Sequence, residues 1–111
     1  MLVDSHSHLF LEEFAEDLPF VMERARAAGV THIFMPNIDS TTIEPMLSVC
    51  DTYRDLCFPM IGLHPTSVNE SYEKELEIVA ANLETSGRFV AVGEIGIDLY
   101  WDKTWLKEQL I

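Results

Sequence analysis

The stretch Phe89-Val90-Ala91-Val92-Gly93-Glu94-Ile95-Gly96-Ile97-Asp98 decides how the whole sequence is read. Its first half is a continuous apolar run, not an alternating one, which is the pattern of a strand covered on both faces. That run ends in a carboxylate. An acid at the end of a buried strand must be paired, protonated or bound to a cation. Gly93 and Gly96, on either side of Glu94, leave space for the close approach of a ligand or another strand.

Three similar runs precede it, at Leu2–Ser5, His32–Pro36 and Phe58–Leu63, and Phe89–Ile95 is the fourth; their starts lie 30, 26 and 31 residues apart. The intervening segments carry helical punctuation. Asp17 stands where a helix cap belongs, Pro19 in the first turn, and Phe20, Val21, Arg24, Ala27 and Ala28 run on to a stop at Gly29. A second helix starts near Thr42, since Pro45 is tolerated only in a first turn, and buries Met46, Leu47, Val49 and Cys50. The third has an apolar stripe of Tyr72, Leu76, Val79, Ala80 and Leu83, with Glu73, Lys74, Glu77 and Glu84 facing water. A fourth begins around Lys103.

Strand and helix thus alternate, which predicts an α/β fold with a parallel sheet. Eight units of this length would approach the ~250 residues of a closed (β/α)8 barrel. The 111 residues hold about four units, so the periodicity fits either a small open sheet or half of such a barrel.

Each predicted strand ends in polar residues, and in parallel α/β proteins ligands bind at those carboxyl ends. The first ends in Asp4-Ser5-His6-Ser7-His8, the second at Asn37 and Asp39, the third at Gly62-Leu63-His64-Pro65 and the fourth at Glu94. Residues two apart in a strand share a face, so His6 and His8 both aim inward and are able to share one metal ion. Asp4 lies on the same face, placed to hold a histidine tautomer from behind or to serve as a weaker direct ligand. An isolated His-x-His is a weak signal; Glu94 strengthens it, because basic partners are scarce. The chain has 19 Asp and Glu against 7 Lys and Arg, a net charge of −12, the opposite of a protein that grips nucleic acid with basic side chains. Dealings with a polyanion would have to run through a bound cation.

No apolar run approaches the ~20 residues of a membrane span, and the opening Met-Leu-Val-Asp-Ser-His has no signal-peptide core. Cys50 and Cys57 read as reduced thiols, the cytoplasmic default.

Asp-Ser-His-Ser-His-Leu at 4–9, Gly-Leu-His-Pro at 62–65 and Gly-Glu-Ile-Gly-Ile-Asp-Leu-Tyr-Trp-Asp at 93–102 together resemble the amino-terminal signatures of the TatD family. These are metal-dependent deoxyribonucleases and related hydrolases on a TIM barrel of the amidohydrolase-like superfamily. The resemblance runs the length of the chain and implies that residues 1–111 are the amino-terminal half of such a barrel. It implies phosphodiester hydrolysis in DNA, on single strands or 3′ ends, with one or two divalent ions (Mg, Mn or Zn). His6 and His8 match the first metal pair, and Glu94 matches the carboxylate that joins two ions. His64 matches a position at the mouth suited to substrate or phosphate contact, the alternative being a histidine that bonds only its own loop. Asp98 matches a position that orients the loop after the fourth strand or contacts substrate, with a solvated acid as the alternative.

The resemblance also implies two further histidines and a catalytic aspartate that these residues do not contain, since no histidine follows Glu94. The 111 residues alone are therefore expected to be inactive. Two readings compete with this one: a truncated half-barrel that at most binds metal, and a cyclic-amide or lactone hydrolase of the wider superfamily, whose members more often carry lysine at the fourth strand end. His32 and the methionines read as structural, and Tyr100, Trp101 and Trp105 read as helix-packing aromatics, the alternative being a surface that stacks on a base or sugar. An open sheet would leave Val3, Phe34, Ile61 and Val92 partly wet on its inner face, and its first and last strands unpaired, which predicts a homo-oligomer.

Overall fold

The computed structural model describes residues 1–111. Four strands, β1 (Leu2–Asp4), β2 (Val30–Met35), β3 (Cys57–Ile61) and β4 (Ala91–Val92), form one sheet in the order β1-β2-β3-β4, with every neighbouring pair parallel. Helices α1 (Leu18–Ala27), α2 (Ile43–Thr52) and α3 (Tyr72–Thr85) connect them, and a short α4 (Leu106–Gln109) follows β4. Sequential parallel order with a helix in every crossover is the arrangement of a (β/α) barrel wall. No helix is long and apolar enough to cross a membrane.

The core lies between the sheet and the first two helices. Ile33, Met35 and Cys57 from the sheet pack with Met22 of α1 and with Met46 and Cys50 of α2, and Leu9, Phe10 and Leu56 close the cluster. β2 begins at Val30, two residues earlier than expected, because Gly29 turns the chain at once with φ +88°, a conformation that favours glycine. Asp17 does occupy the position before α1, but its side chain makes no cap bond there. Pro19 stands in the first helical turn, where a missing N–H leaves no orphan. The 3₁₀ turn Ser40–Thr42 that leads into α2 is closed by a capping box: Asp39 accepts from the Thr41 N–H at 2.9 Å, and the Thr42 hydroxyl accepts from the Asp39 N–H at 3.2 Å.

Several expectations are corrected. β4 is two residues long instead of the seven of Phe89–Ile95, because only Ala91 and Val92 find register partners, Met60 and Ile61. α4 starts at Leu106, not near Lys103, and completes a single turn. Ile61 is fully buried against the helices. Register puts Val92 beside Ile61, while Val3 pairs with His32 and Phe34 with Phe58 on the opposite face. The inner face therefore carries Val3, His32, Phe34, Phe58 and Met60. His32 stacks on Phe58, with ring centroids 5.2 Å apart at 19°. Tyr100 and Trp101 are not buried against a helix; each is 80% exposed, and they meet edge to face at 4.6 Å.

Candidate metal centre

At the carboxyl rim of the sheet the chain leaves each strand and turns, and the histidines and the carboxylate that converge there come from the ends of β1, β3 and β4. Beyond β1, the Asp4 carboxylate accepts from the backbone N–H of His6 at 3.1 Å, and the Ser7 N–H donates to the Phe34 carbonyl at 3.1 Å. Asp4 thus braces the main chain of His6 and makes no bond to an imidazole, because its short side chain folds back onto its own turn. Beyond β3, Pro65–Ser67 forms a single 3₁₀ turn headed by His64. The His64 Nδ1 accepts from the Thr66 backbone N–H at 3.1 Å and lies 2.7 Å from the Thr66 hydroxyl. A backbone N–H can only donate, so Nδ1 is the unprotonated nitrogen and a neutral His64 ring carries its proton on Nε2.

Glu94 gathers these groups. Its Oε2 lies 3.0 Å from Nε2 of His6 and 3.3 Å from Nε2 of His8, and its Oε1 lies 3.0 Å from Nε2 of His64. One ligand atom each from His6, His8 and Glu94 falls within 4.8 Å of the others. Two of these atoms, His8 Nε2 and Glu94 Oε2, are buried and have no hydrogen-bond partner. Buried orphans of opposite character facing one another are what a shared cation would satisfy. Burial lowers the pKa of His8 below 6.5 and outweighs the pull of Glu94, while His6 and His64 push in the same downward direction as burial. His8 is therefore neutral at pH 7, with a lone pair to offer. Two imidazoles and one carboxylate, with no fourth protein ligand among them, form an open donor set of the kind found where a metal also holds water or substrate.

Glu94 reaches this point because its strand crosses over β3. The Gly93 N–H donates to the Ile61 carbonyl at 2.8 Å, but the Gly93 carbonyl accepts from the Asn37 N–H at 3.0 Å, and the Glu94 N–H donates to the Asn37 carbonyl at 3.1 Å. The end of β4 thus bonds the end of β2 across Gly62. A Cβ on Gly62 would lie 2.6 Å from the Glu94 carbonyl oxygen, so only glycine permits the crossing.

A sequence model of the family described as TatD related DNase matches residues 3–110. This chain belongs to that family. It is 36% identical over 104 residues to an uncharacterized metal-dependent hydrolase, YabD, of Bacillus subtilis, covering 94% of this chain and 40% of that protein. It is 30% identical to a 3′-5′ ssDNA/RNA exonuclease TatD of Erwinia tasmaniensis, covering 87% of this chain and 37% of the relative. The crystal structure of the TatD homologue YjjV from Escherichia coli superimposes with a TM-score of 0.87 at 30% identity, covering 98% of this chain and 42% of that one. The chain thus spans about four tenths of the length of the TatD relatives it matches, and its four strands form a half-barrel.

Of the residues singled out in sequence, His6, His8, His64 and Glu94 come together. Asp98 does not join them. Its carboxylate accepts from the Tyr100 N–H at 3.0 Å, and its backbone is clamped by the side chain of Gln109, which accepts from the Asp98 N–H and donates to its carbonyl at 2.9 and 3.1 Å. Asp98 therefore shapes its own loop. Asn37, Gly62 and Thr66 received no role from sequence; a glycine two residues before His64 and a threonine two residues after it were the available signals.

Proposed function

We propose that this chain forms the histidine–carboxylate wall of a metal-dependent phosphodiester hydrolase acting on DNA, at single-stranded regions or 3′ ends. The observation that carries the reading is the pair of orphaned buried atoms, His8 Nε2 and Glu94 Oε2, held between His6 and His64. His6, His8 and Glu94 would hold the ion, and Mg, Mn or Zn suits the mixed nitrogen and oxygen donors. When bound, a divalent ion there supplies Lewis acidity toward water and phosphate and offsets the −12 charge of the chain toward a polyanion.

The chain's own groups do the rest. His8 presents a neutral lone pair. His64, locked by Thr66, presents an N–H, so it donates to Glu94 or to a phosphate oxygen and does not ligate through Nε2. Asp98 keeps the loop after β4 in shape through the Tyr100 N–H. We place the protein in the cytoplasm, on the strength of its two free, buried thiols. The exposed Leu2 and Val3 of β1 and Val92 of β4 support self-association through the sheet edges, which sedimentation at micromolar concentration tests: a 12.7 kDa species would refute it.

Titration of Zn or Mn into the purified 111-residue chain tests the metal reading. Binding is expected in the wild type and is expected to be lost in the His6→Ala/His8→Ala double variant; equal binding by both would overturn the assignment. Cleavage of single-stranded DNA by these residues alone is expected to be slight, because positioned acid–base groups contribute ~10²–10⁴ in rate and the aspartate and two further histidines that the resemblance implies are not among them.

A further inference from the structure

Asn37 is the buried polar side chain of the core, 0% exposed, and each of its polar groups has a partner. Its side-chain Nδ2 donates to the Gly62 carbonyl at 3.0 Å and the Asp39 carbonyl at 2.9 Å, and its Oδ1 accepts from the Thr42 hydroxyl at 2.7 Å. Its backbone carries two of the three main-chain bonds that anchor Gly93 and Glu94, and the next residue, Ile38, accepts from the His64 N–H at 2.8 Å. One dipeptide at the end of β2 therefore sets both the Glu94 and the His64 main chains.

Packing does not supply this anchorage. Around Glu94, residues Ala91, Val92, Ile95, Gly96 and Ile97 are exposed. The carboxylate is placed by backbone hydrogen bonds whose other end is the Asn37 peptide, and that peptide is fixed by its own carboxamide. The site requires two donors and an acceptor of this reach without water. An aspartate would turn a lone pair toward the Gly62 carbonyl, and a serine falls short of it.

We propose that Asn37 is a positioning residue for the metal centre. Its carboxamide, locked by Gly62 and Thr42, holds the crossing of β4 over β3 so that the Glu94 carboxylate faces His6, His8 and His64. This rests on the reading above, in which Glu94 is a ligand. Asn37 touches neither ion nor substrate and acts through the Glu94 main chain.

Cobalt(II) binding, read by the visible absorption bands of the bound ion, tests it on the 111-residue chain. Asn37→Ser and Thr42→Val are expected to weaken binding by about tenfold or more and to alter the bands, as loss of an outer support of a ligand commonly does. Thr42→Ser, which keeps the hydroxyl, is expected to restore both. Ile33→Val, a packing loss on the helix side of β2, serves as the stability control and is expected to change neither. Wild-type affinity and bands in Asn37→Ser and Thr42→Val, with binding lost in the His6→Ala/His8→Ala variant, would overturn the positioning role and leave the metal reading intact. An equal weakening in Ile33→Val would overturn it too, by showing that stability alone governs binding. Absence of binding by the wild type would refute the metal reading instead. The imidazole nitrogen resonances of the metal-free chain then decide: shifts of the His8 and His64 signals in Asn37→Ser and Thr42→Val but not in Ile33→Val support the positioning role, and unmoved signals overturn it.

Discussion

Residues 1–68 and residues 69–111 are built on different principles, although each contributes to the same rim. The first segment contains every buried hydrophobic side chain of the molecule, from Leu9 to Val68. In the second, Gly93 is the sole buried residue, α3 buries none of its side chains completely, and β4 is exposed at both positions. Yet the second segment supplies Glu94, the carboxylate on which His6, His8 and His64 converge. Strand-end hydrogen bonds place both sides of the site, but His8 and His64 adjoin buried side chains, Leu9 and Leu63, whereas Glu94 is followed by exposed residues. The difference teaches that stability and site geometry are separable in this chain, and substitutions can be chosen to move one without the other.

The largest effect should come from the packed segment. Met46 is 0% exposed in the core cluster, and Met46→Ala is expected to destabilise the fold by about 2–5 kcal/mol through lost transfer energy and a cavity. In a denaturant melt the matching truncation in the open segment, Leu83→Ala at 45% exposure, should fall well below that. Equal losses at the two positions would dissolve the contrast. At temperatures where Met46→Ala remains folded, its metal affinity should match the wild type.

Gly62→Ala should do the reverse. The added Cβ would meet the Glu94 carbonyl oxygen and the Gly93 carbonyl carbon, both at 2.6 Å, and backbone cannot give way as a flexible side chain can. A stability loss of about 1–3 kcal/mol is expected from overpacking, with a disproportionate loss of metal binding as Glu94 is lifted from the histidines. Calorimetric titration beside a thermal melt separates the two, and retained affinity would show that the crossing is not what places the carboxylate.

A smaller, graded effect should appear with pH. Burial pushes the Cys50 thiol up to about 11 and the Cys57 thiol up to about 12, from 9.0 in the unfolded chain. Above pH 9 the unfolded state loses these protons while the folded state keeps them, so the unfolded state binds fewer protons and stability falls as pH rises. The loss is about 1.4 kcal/mol per thiol per pH unit at most, absent below pH 9 and complete once the folded values are passed. Denaturant melts between pH 8 and 10.5, repeated on Cys50→Ala and Cys57→Ala, measure it. A slope unchanged by the two substitutions would assign the alkaline loss to other groups.

The sheet and its order were legible in sequence because apolar runs at near-constant spacing, with helical punctuation between them, have few other solutions. The extent of β4 was not. Phe89–Ile95 reads as one apolar run, but a strand ends where its neighbour stops offering partners, and β3 gives way at Gly62. The face of Ile61 was misjudged for a related reason: a strand boundary uncertain by one residue reverses every side chain after it. Tyr100 and Trp101 read in sequence as helix-packing aromatics, yet each is 80% exposed and their rings meet each other.

The sequence by itself determined the alternation of strand and helix, the family, and the residues His6, His8, His64 and Glu94 as polar groups at strand ends, since each follows from local pattern and spacing. The tertiary structure alone decided which atoms meet. Asp4 and Thr66 act within their own turns, each through a hydrogen bond two residues away, whereas Asn37 meets Gly93 and Glu94 across a bare Gly62, 56 and 57 residues along the chain. The direction of such bonds is set by how strand ends cross in space, and no periodicity along the chain records it.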